Sequence, residues 1–332
     1  MPKLPFNIYV TRVIPQPGLD ILHKHLGQVE VNTNDHILSR DELLEKVQGR
    51  DGLLPLLTDK IDGEVMDAAG QQLKIIANHA VGFDNIDVKA ATERGIMVTN
   101  TPGVLTDATA DHAWALLFAV GRRIVESDKF ARAGKYQGWG PMMFLGADIT
   151  GRTLGIVGAG RIGAAVALKS RGFNMRVLYT DEVANPTIEK EVGAKKAPFE
   201  QLLRESDFVS VHVPLFPSTH HLFNDDSFKL MKKTAYLINT SRGPVIDEAA
   251  LARALKNGVI AGAALDVFEE EPKIHPDLIG LDNVVLTPHI ASATIETRTK
   301  MATMAAQNLV DGLSGKRPAN LLNPEVLESR KV

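Results

Sequence analysis

The sequence predicts an α/β chain of two doubly wound parallel-sheet domains with a cleft between them. Strand-length apolar runs alternate with helix-period patterns, which is the order of a parallel sheet covered on both faces. One glycine fingerprint, Gly158-Ala159-Gly160-Arg161-Ile162-Gly163, stands between an apolar run and a helical run near the middle of the chain. At 332 residues there is room for two domains of ordinary size.

The first hundred residues supply strand candidates at Ile8–Thr11, Val29–Asn32, Gly52–Leu57, Lys74–Ala80 and Met97–Asn100. Helical patterns lie between them at Gly18–Leu26, Arg40–Val47, Gly63–Ala69 and Val88–Gly95. This unit carries no glycine fingerprint, so the nucleotide site is expected elsewhere. Ligands of such sheets bind beyond the carboxyl ends of the strands. That places a substrate-loop candidate at Asn78–Asp87, where Gly82 would let backbone N–H groups face an anion. The competing reading is a plain strand-to-helix turn capped by Asp84 or Asn85.

Asn100-Thr101-Pro102-Gly103 marks a boundary. The run Val104–Arg123 is apolar on more than one face, as in a dimer interface or an interdomain spine. Residues 132–145 hold Tyr136, Trp139, Met142, Met143 and Phe144 in a segment too irregular for a helix. They are either local core or an arm that reaches a second subunit.

From Leu154 the strand–helix order resumes, with strand candidates at Leu154–Val157, Met175–Thr180, Phe208–Val213, Ala235–Asn239, Ala261–Val267 and Asn283–Leu286. Six strands are what a double mononucleotide-binding sheet needs. The glycines follow the first of them. Gly158 permits the tight turn, Gly160 lets a pyrophosphate approach the backbone, and Gly163 lets the helix pack close to the sheet. The helix start at Arg161 and Ile162 offers free N–H groups to the phosphates. The second strand ends at Asp181, about 20 residues beyond the fingerprint, as in a dinucleotide-binding unit. A carboxylate there accepts bonds from both ribose hydroxyls and repels a 2′-phosphate, so NAD(H) is favoured over NADP(H). The helical pattern Ile295–Leu313 is expected to return to the first domain, leaving that domain discontinuous.

Composition narrows the function classes. The net charge of −3 gives no basic footprint for nucleic acid. With no cysteine, disulfides, thiolate metal sites and cysteine nucleophiles are excluded, and no metal site is expected. No apolar run has the length of a membrane span, and no signal-peptide core precedes Asn7–Val10, so a cytoplasmic enzyme is expected.

Three polar residues fall at predicted strand ends beyond the fingerprint: Arg242, Asp266 and His289, with the acidic run Glu269–Glu271 after the second. Hydride transfer to a carbonyl needs a proton donor, a carbonyl polariser and a hold on any substrate carboxylate. Imidazole exchanges protons near neutral pH, which suits His289 to the first task. A carboxylate behind the ring, with Glu271 the candidate, would orient it. Arg242 suits a bidentate grip on a carboxylate. Taken singly, a loop histidine is more often structural, an arginine can cap a helix, and an acidic run is usually a solvated face.

The stretches Asn78–Asp87, Thr99–Thr109, Gly155–Gly163, Leu230–Asp247, Ala264–Pro272 and Thr287–Ala293 resemble the D-isomer-specific 2-hydroxyacid dehydrogenase family, in order and over nearly the whole chain. Within it they look most like the glyoxylate/hydroxypyruvate reductases, through Ala80–Asp87, Asn100–Asp111 and Phe144-Leu145-Gly146. The resemblance implies a Rossmann-like NAD-binding domain over 102–290, with 104–145 as helix and dimerisation arm. It implies a flavodoxin-like substrate domain over 1–101 plus 291–332. It further implies Arg242 as carboxylate binder, Glu271 as partner of the histidine and His289 as acid/base. Asp266 would bind the nicotinamide carboxamide, with Thr106, Val213, Pro214 and Thr240 along the cofactor. Val81 and Gly82 would offer N–H groups to the substrate carboxylate. Trp139 would enter the active site of a partner subunit in a homodimer. Several relatives carry a small residue and an arginine where this chain has Asp181-Glu182, and they use NADP(H). The reaction implied is reduction of a small 2-oxo acid, glyoxylate or hydroxypyruvate, by NAD(P)H. The alternatives are a D-lactate, phosphoglycerate or phosphite dehydrogenase, or a non-enzymatic NAD-sensing scaffold.

Overall fold

A computed structural model describes residues 3–329. The chain divides into two compact units, Met1–Leu105 with Ala293–Val332, and Thr106–Ser292.

The first unit is built on five parallel strands: β1 (Leu4–Val10), β2 (Leu26–Val31), β3 (Gly52–Leu54), β4 (Ile75–Ala77) and β5 (Met97–Thr99). Their order is β2-β1-β3-β4-β5, the doubly wound order of flavodoxin-like sheets. The two-residue period of a strand splits its core into two layers. Ile8, Val10, Leu54, Ile75, Ala77 and Met97 face the helices Gln16–His25 and Ile295–Leu313. Tyr9, Leu53, Ile76 and Val98 face Leu43, Val65, Met66 and Ala91 on the other side. The helix Ile295–Leu313 crosses Gln16–His25 so closely that a Cβ on Gly18 would stand 2.8 Å from that of Ala302.

The second unit holds seven parallel strands: β6 (Thr153–Val157), β7 (Arg176–Thr180), β8 (Lys195–Lys196), β9 (Phe208–Val211), β10 (Tyr236–Asn239), β11 (Gly262–Leu265) and β12 (Val284–Leu286). Their order, β12-β11-β10-β9-β6-β7-β8, reverses between β6 and β9, which is the switch point of a dinucleotide-binding sheet. The two doubly wound parallel sheets read from the sequence are therefore the ones observed.

Six strands were expected in this unit and the structure has seven. The extra strand, β8, pairs Lys195 with Leu178 and Lys196 with Tyr179. Both lysines are exposed, so no apolar pattern announces an edge strand. The broad apolar face of the helix Thr106–Gly121 is spent inside this unit. It packs on β10, β11, β12 and the helix Arg161–Lys169, and Trp114 Nε1 donates to the Val166 carbonyl at 3.1 Å. The helix Ile124–Arg132 has no buried residue. Residues after it do not form local core, because Tyr136, Trp139, Met142 and Leu145 are all exposed.

Candidate active site

In the second unit the sequence-predicted residues collect at one edge, beyond the carboxyl ends of the strands. Gly158–Gly163 follow β6, Asp181 follows β7, Val213 and Pro214 follow β9, Thr240 and Arg242 follow β10, Asp266 follows β11, and His289 follows β12.

The three glycines of the turn differ in what surrounds them. Gly158 has φ +91°, and a Cβ there would lie 2.8 Å from the backbone of His212 and Val213. A Cβ on Gly163 would meet the Gly158 carbonyl oxygen at 2.0 Å. At Gly160 no atom stands within 4 Å of that position, so the space beside the helix start is open. Gly160 caps the helix Arg161–Lys169 without a side-chain bond. The N–H groups of Arg161, Ile162 and Gly163 have no acceptor among the described residues. Thr240 Oγ1 is buried and also has no partner there. An open cradle, three free N–H groups and an orphan hydroxyl fit a dinucleotide. Asp181 closes the turn, its Oδ2 accepting the Ala159 N–H at 2.7 Å.

Arg242 sits on a tightly tied loop. Asn239 Oδ1 accepts from Ser241 N at 3.0 Å and Ser241 Oγ at 2.8 Å, while Asn239 Nδ2 donates to the Arg242 carbonyl at 3.0 Å. Arg242 does not cap the 3-10 turn Gly243–Val245 with its side chain. Gly243 brings this loop against Phe268 and Glu269, where a Cβ would lie 1.9 Å from the Phe268 carbonyl. Beyond Phe268 the acidic run is not a plain solvated face. Glu269 Oε1 meets His221 Nε2 at 2.5 Å, and the Glu269 N–H donates to Glu248 Oε1 at 2.8 Å. Glu271 Oε1 accepts the Phe268 N–H at 3.1 Å, and its Oε2 lies 2.9 Å from His289 Nδ1. His289 Nδ1 is thus engaged by the carboxylate, and Nε2 is the ring atom left for chemistry.

Asp266 is 0% exposed. Its carboxylate takes the Thr287 hydroxyl at 2.6 Å and the N–H groups of Ile290 at 2.9 Å and Ala291 at 2.8 Å. Burial raises its pKa, but bonds from His112, Thr287 and the two amides outweigh that and leave it below the ordinary carboxylate value.

In the first unit, Asn78–Asp87 follows β4. Asp87, rather than Asp84 or Asn85, caps the next helix, accepting the Ala90 N–H at 2.8 Å. Asn78 Nδ2 donates to the Gly82 carbonyl at 2.9 Å and Asn100 Nδ2 to the Val81 carbonyl at 2.7 Å. Asn85 Nδ2 donates to the carbonyls of Leu56 and Asp59, both at 3.1 Å. The loop's carbonyls are tied down, while the N–H groups of Val81 and Gly82 have no acceptor among the described residues. These asparagine braces, and His112 and Thr287 around Asp266, are site features the sequence reading missed. Thr106 begins the helix Thr106–Gly121, and Trp139 stands 83% exposed. No helix among the described residues is long and apolar enough to cross a membrane.

A dinucleotide cradle at the switch point of a parallel sheet, followed by an Arg, Glu and His set, defines a nicotinamide-dependent dehydrogenase. Residues 114–291 match the family described as D-isomer specific 2-hydroxyacid dehydrogenase, NAD binding domain. The chain is 54% identical over 327 residues to a glyoxylate reductase of Korarchaeum cryptofilum, covering 98% of each chain. It is 52% identical over 329 residues to one of Thermococcus onnurineus, again covering 98% of each. A solved NADPH-dependent glyoxylate/hydroxypyruvate reductase of Sinorhizobium meliloti, in complex with NADP and malonate, matches with TM-score 0.84 and 32% identity. It covers 97% of this chain and 98% of that one. The chain belongs to the D-isomer specific 2-hydroxyacid dehydrogenase family, and it is an NAD(P)-dependent oxidoreductase.

Proposed function

We propose that this chain reduces glyoxylate, and with it hydroxypyruvate, to the corresponding 2-hydroxy acid, with NADH as the preferred reductant. The pairing of His289 with Glu271 at 2.9 Å carries the reading. The bound nicotinamide supplies the hydride. His289 holds a proton on Nε2 and delivers it to the carbonyl oxygen, while Glu271 fixes the ring through Nδ1 and balances the imidazolium charge. Arg242 grips the substrate carboxylate and polarises the carbonyl. The N–H groups of Val81 and Gly82 take the remaining carboxylate oxygen. Gly158, Gly160, Arg161, Ile162 and Gly163 bind the pyrophosphate. Val213, Pro214, Thr240 and Thr106 line the cofactor, and Asp266 holds the nicotinamide end of the site in place. Asp181 accepts the ribose hydroxyls and sets the preference for NADH over NADPH. Trp139 belongs to a homodimer arm that completes the partner subunit's site.

The test is a panel of glyoxylate, hydroxypyruvate, pyruvate and phosphohydroxypyruvate, each with NADH and with NADPH. Glyoxylate and hydroxypyruvate with NADH are expected to give the highest kcat/KM. His289→Ala should lower kcat by about 10²–10⁴ while the NADH Kd stays near wild type. No turnover of any of the four would overturn the reading in favour of an NAD-binding scaffold.

A further inference from the structure

His289 occupies a strained position. Its φ is +54°, a left-handed conformation that costs a non-glycine residue about 1 kcal/mol or more. What holds it there is Asp266. The His289 N–H donates to the Asp266 carbonyl at 2.8 Å and to the Thr287 carbonyl at 3.0 Å. On either side of His289, Thr287, Ile290 and Ala291 all bind the Asp266 carboxylate. The loop is clamped before and after the histidine by one buried acid.

A fourth group reaches the same clamp from another element. His112, on the helix Thr106–Gly121, places Nε2 3.3 Å from Asp266 Oδ1 and 3.2 Å from Thr287 Oγ1. Its side chain is 18% exposed. The proton assignment follows from the partners. The single Thr287 hydroxyl proton goes to Asp266 Oδ1 at 2.6 Å, so Thr287 Oγ1 can only accept from His112. Nε2 therefore carries the hydrogen, shared between the hydroxyl and the carboxylate. Without it, the threonine rotor loses the donor that fixes its direction, and a fully buried carboxylate loses one of its donors.

We infer that His112 is a positioning residue that acts through Thr287 and Asp266 to hold the left-handed loop on which His289 stands. This rests on the reading of His289 as the proton donor. The helix that carries His112 packs on β10, β11 and β12, so it is fixed to the strands that carry Arg242, Asp266 and His289. His112 touches none of the proposed reacting atoms. Its effect is on the placement of Nε2 of His289, where an error of about 1 Å is enough to slow proton transfer about 100-fold.

The experiment pairs His112→Phe, which keeps a ring without the N–H, with His112→Gln, whose amide N–H reaches about as far as Nε2. Thr287→Val breaks the same link from the other side should the phenylalanine variant fail to fold. Glyoxylate reduction and hydrogen–deuterium exchange of the peptide spanning residues 287–292 are measured on each intact enzyme. H112F and T287V are expected to lower kcat about 10- to 100-fold with the KM for NADH within about twofold of wild type. The amides of His289, Ile290 and Ala291 should exchange faster in both. H112Q should restore both readouts to within about threefold of wild type. Wild-type exchange or wild-type kcat in H112F overturns the inference, and so does failure of glutamine to restore them. Absence of turnover in the wild type itself would overturn the proposed reaction instead, and the exchange rates would still decide whether His112 holds the loop.

Discussion

Asp181 and His79 are polar side chains put to opposite uses. Asp181 accepts the N–H groups of Ala159 at 2.7 Å and Val183 at 3.2 Å, so its carboxylate is fixed at the mouth of the glycine turn. The neighbouring Glu182 is exposed, and its carbonyl accepts Lys196 Nζ at 2.8 Å. A 2′-phosphate set against Asp181 would face a like charge that cannot move away. Replacing the pair as Asp181→Ser with Glu182→Arg should shift the NADH/NADPH ratio of kcat/KM toward NADPH by about 100-fold, equivalent to about 3 kcal/mol. An unchanged ratio would show that another group selects the cofactor. His79 uses burial differently. Burial first, and the Arg298 charge second, lower its pKa from 6.5 to about 4, so the folded protein keeps the ring neutral. The unfolded chain takes up a proton below pH 6.5 and the folded chain does not until about pH 4. Stability is therefore lost as pH falls through that window, by about 2–3 kcal/mol at pH 4.5. His79→Leu should flatten the fall of the denaturation midpoint between pH 7 and 4.5. A variant that loses as much stability as wild type would show that other groups govern the acid limb. Asp181 could be read from its place after a strand and a fingerprint. The fate of His79 could not, because histidine is common in cores and in sites alike, and only the packing around it decides.

Elements were legible where a pattern repeated and illegible where one contact did the work. The helix Ile295–Leu313 and the strands of both sheets announce themselves by period, and the structure moves their ends by only a few residues. The strand β8 lacked any period, since two exposed lysines pair only with their neighbours in β7. Arg242, Glu271 and His289 were legible because each follows a buried strand in a parallel sheet. His112 was not, because it lies in an apolar helix where a histidine has no distinguishing spacing, and its partners are 154 and 175 residues away in sequence. Gly243 shows the same limit at the level of loops. Its sequence neighbours suggest an ordinary turn, yet it is the point where the loop after β10 touches the loop after β11. Gly243→Ala must push the loop that carries Arg242 away from Phe268 and Glu269. It should cost about 1–3 kcal/mol in urea denaturation, with kcat/KM for glyoxylate falling at least about 10-fold. Gly172→Ala is the control, since nothing stands within 4 Å of the position where its Cβ would be. Wild-type kcat/KM in G243A would show that the two loops tolerate separation and that Arg242 is placed by other means.

At the scale of the whole chain, the second unit is inserted into the first. Residues 293–329 return to the sheet begun by β1, and this segment is fastened there by the buried Asn323. Its Oδ1 accepts the Val98 N–H at 2.8 Å and its Nδ2 donates to the Ile96 carbonyl at 2.8 Å. Apolar surface is left in quantity on residues 124–145. Ile124, Val125, Tyr136, Trp139, Met142, Met143 and Leu145 are exposed there, Trp139 at 83% and Met142 at 77%. A soluble monomer rarely leaves so many large side chains together in water. Covering one tryptophan alone contributes about 2–3 kcal/mol, and in a two-fold dimer each such contact is made twice. A second copy of this chain is therefore the occupant proposed for the surface. Sedimentation of the wild type should give a dimer at micromolar concentration, and Trp139→Glu with Met142→Glu should shift it toward monomer. Trp139→Ala should lower kcat/KM for glyoxylate about 10-fold if the ring also reaches the partner's substrate, as an aromatic anchor worth at least about 1.4 kcal/mol would. A glutamate double variant that remains dimeric with unchanged kcat/KM would place the interface elsewhere and leave this surface for a different partner.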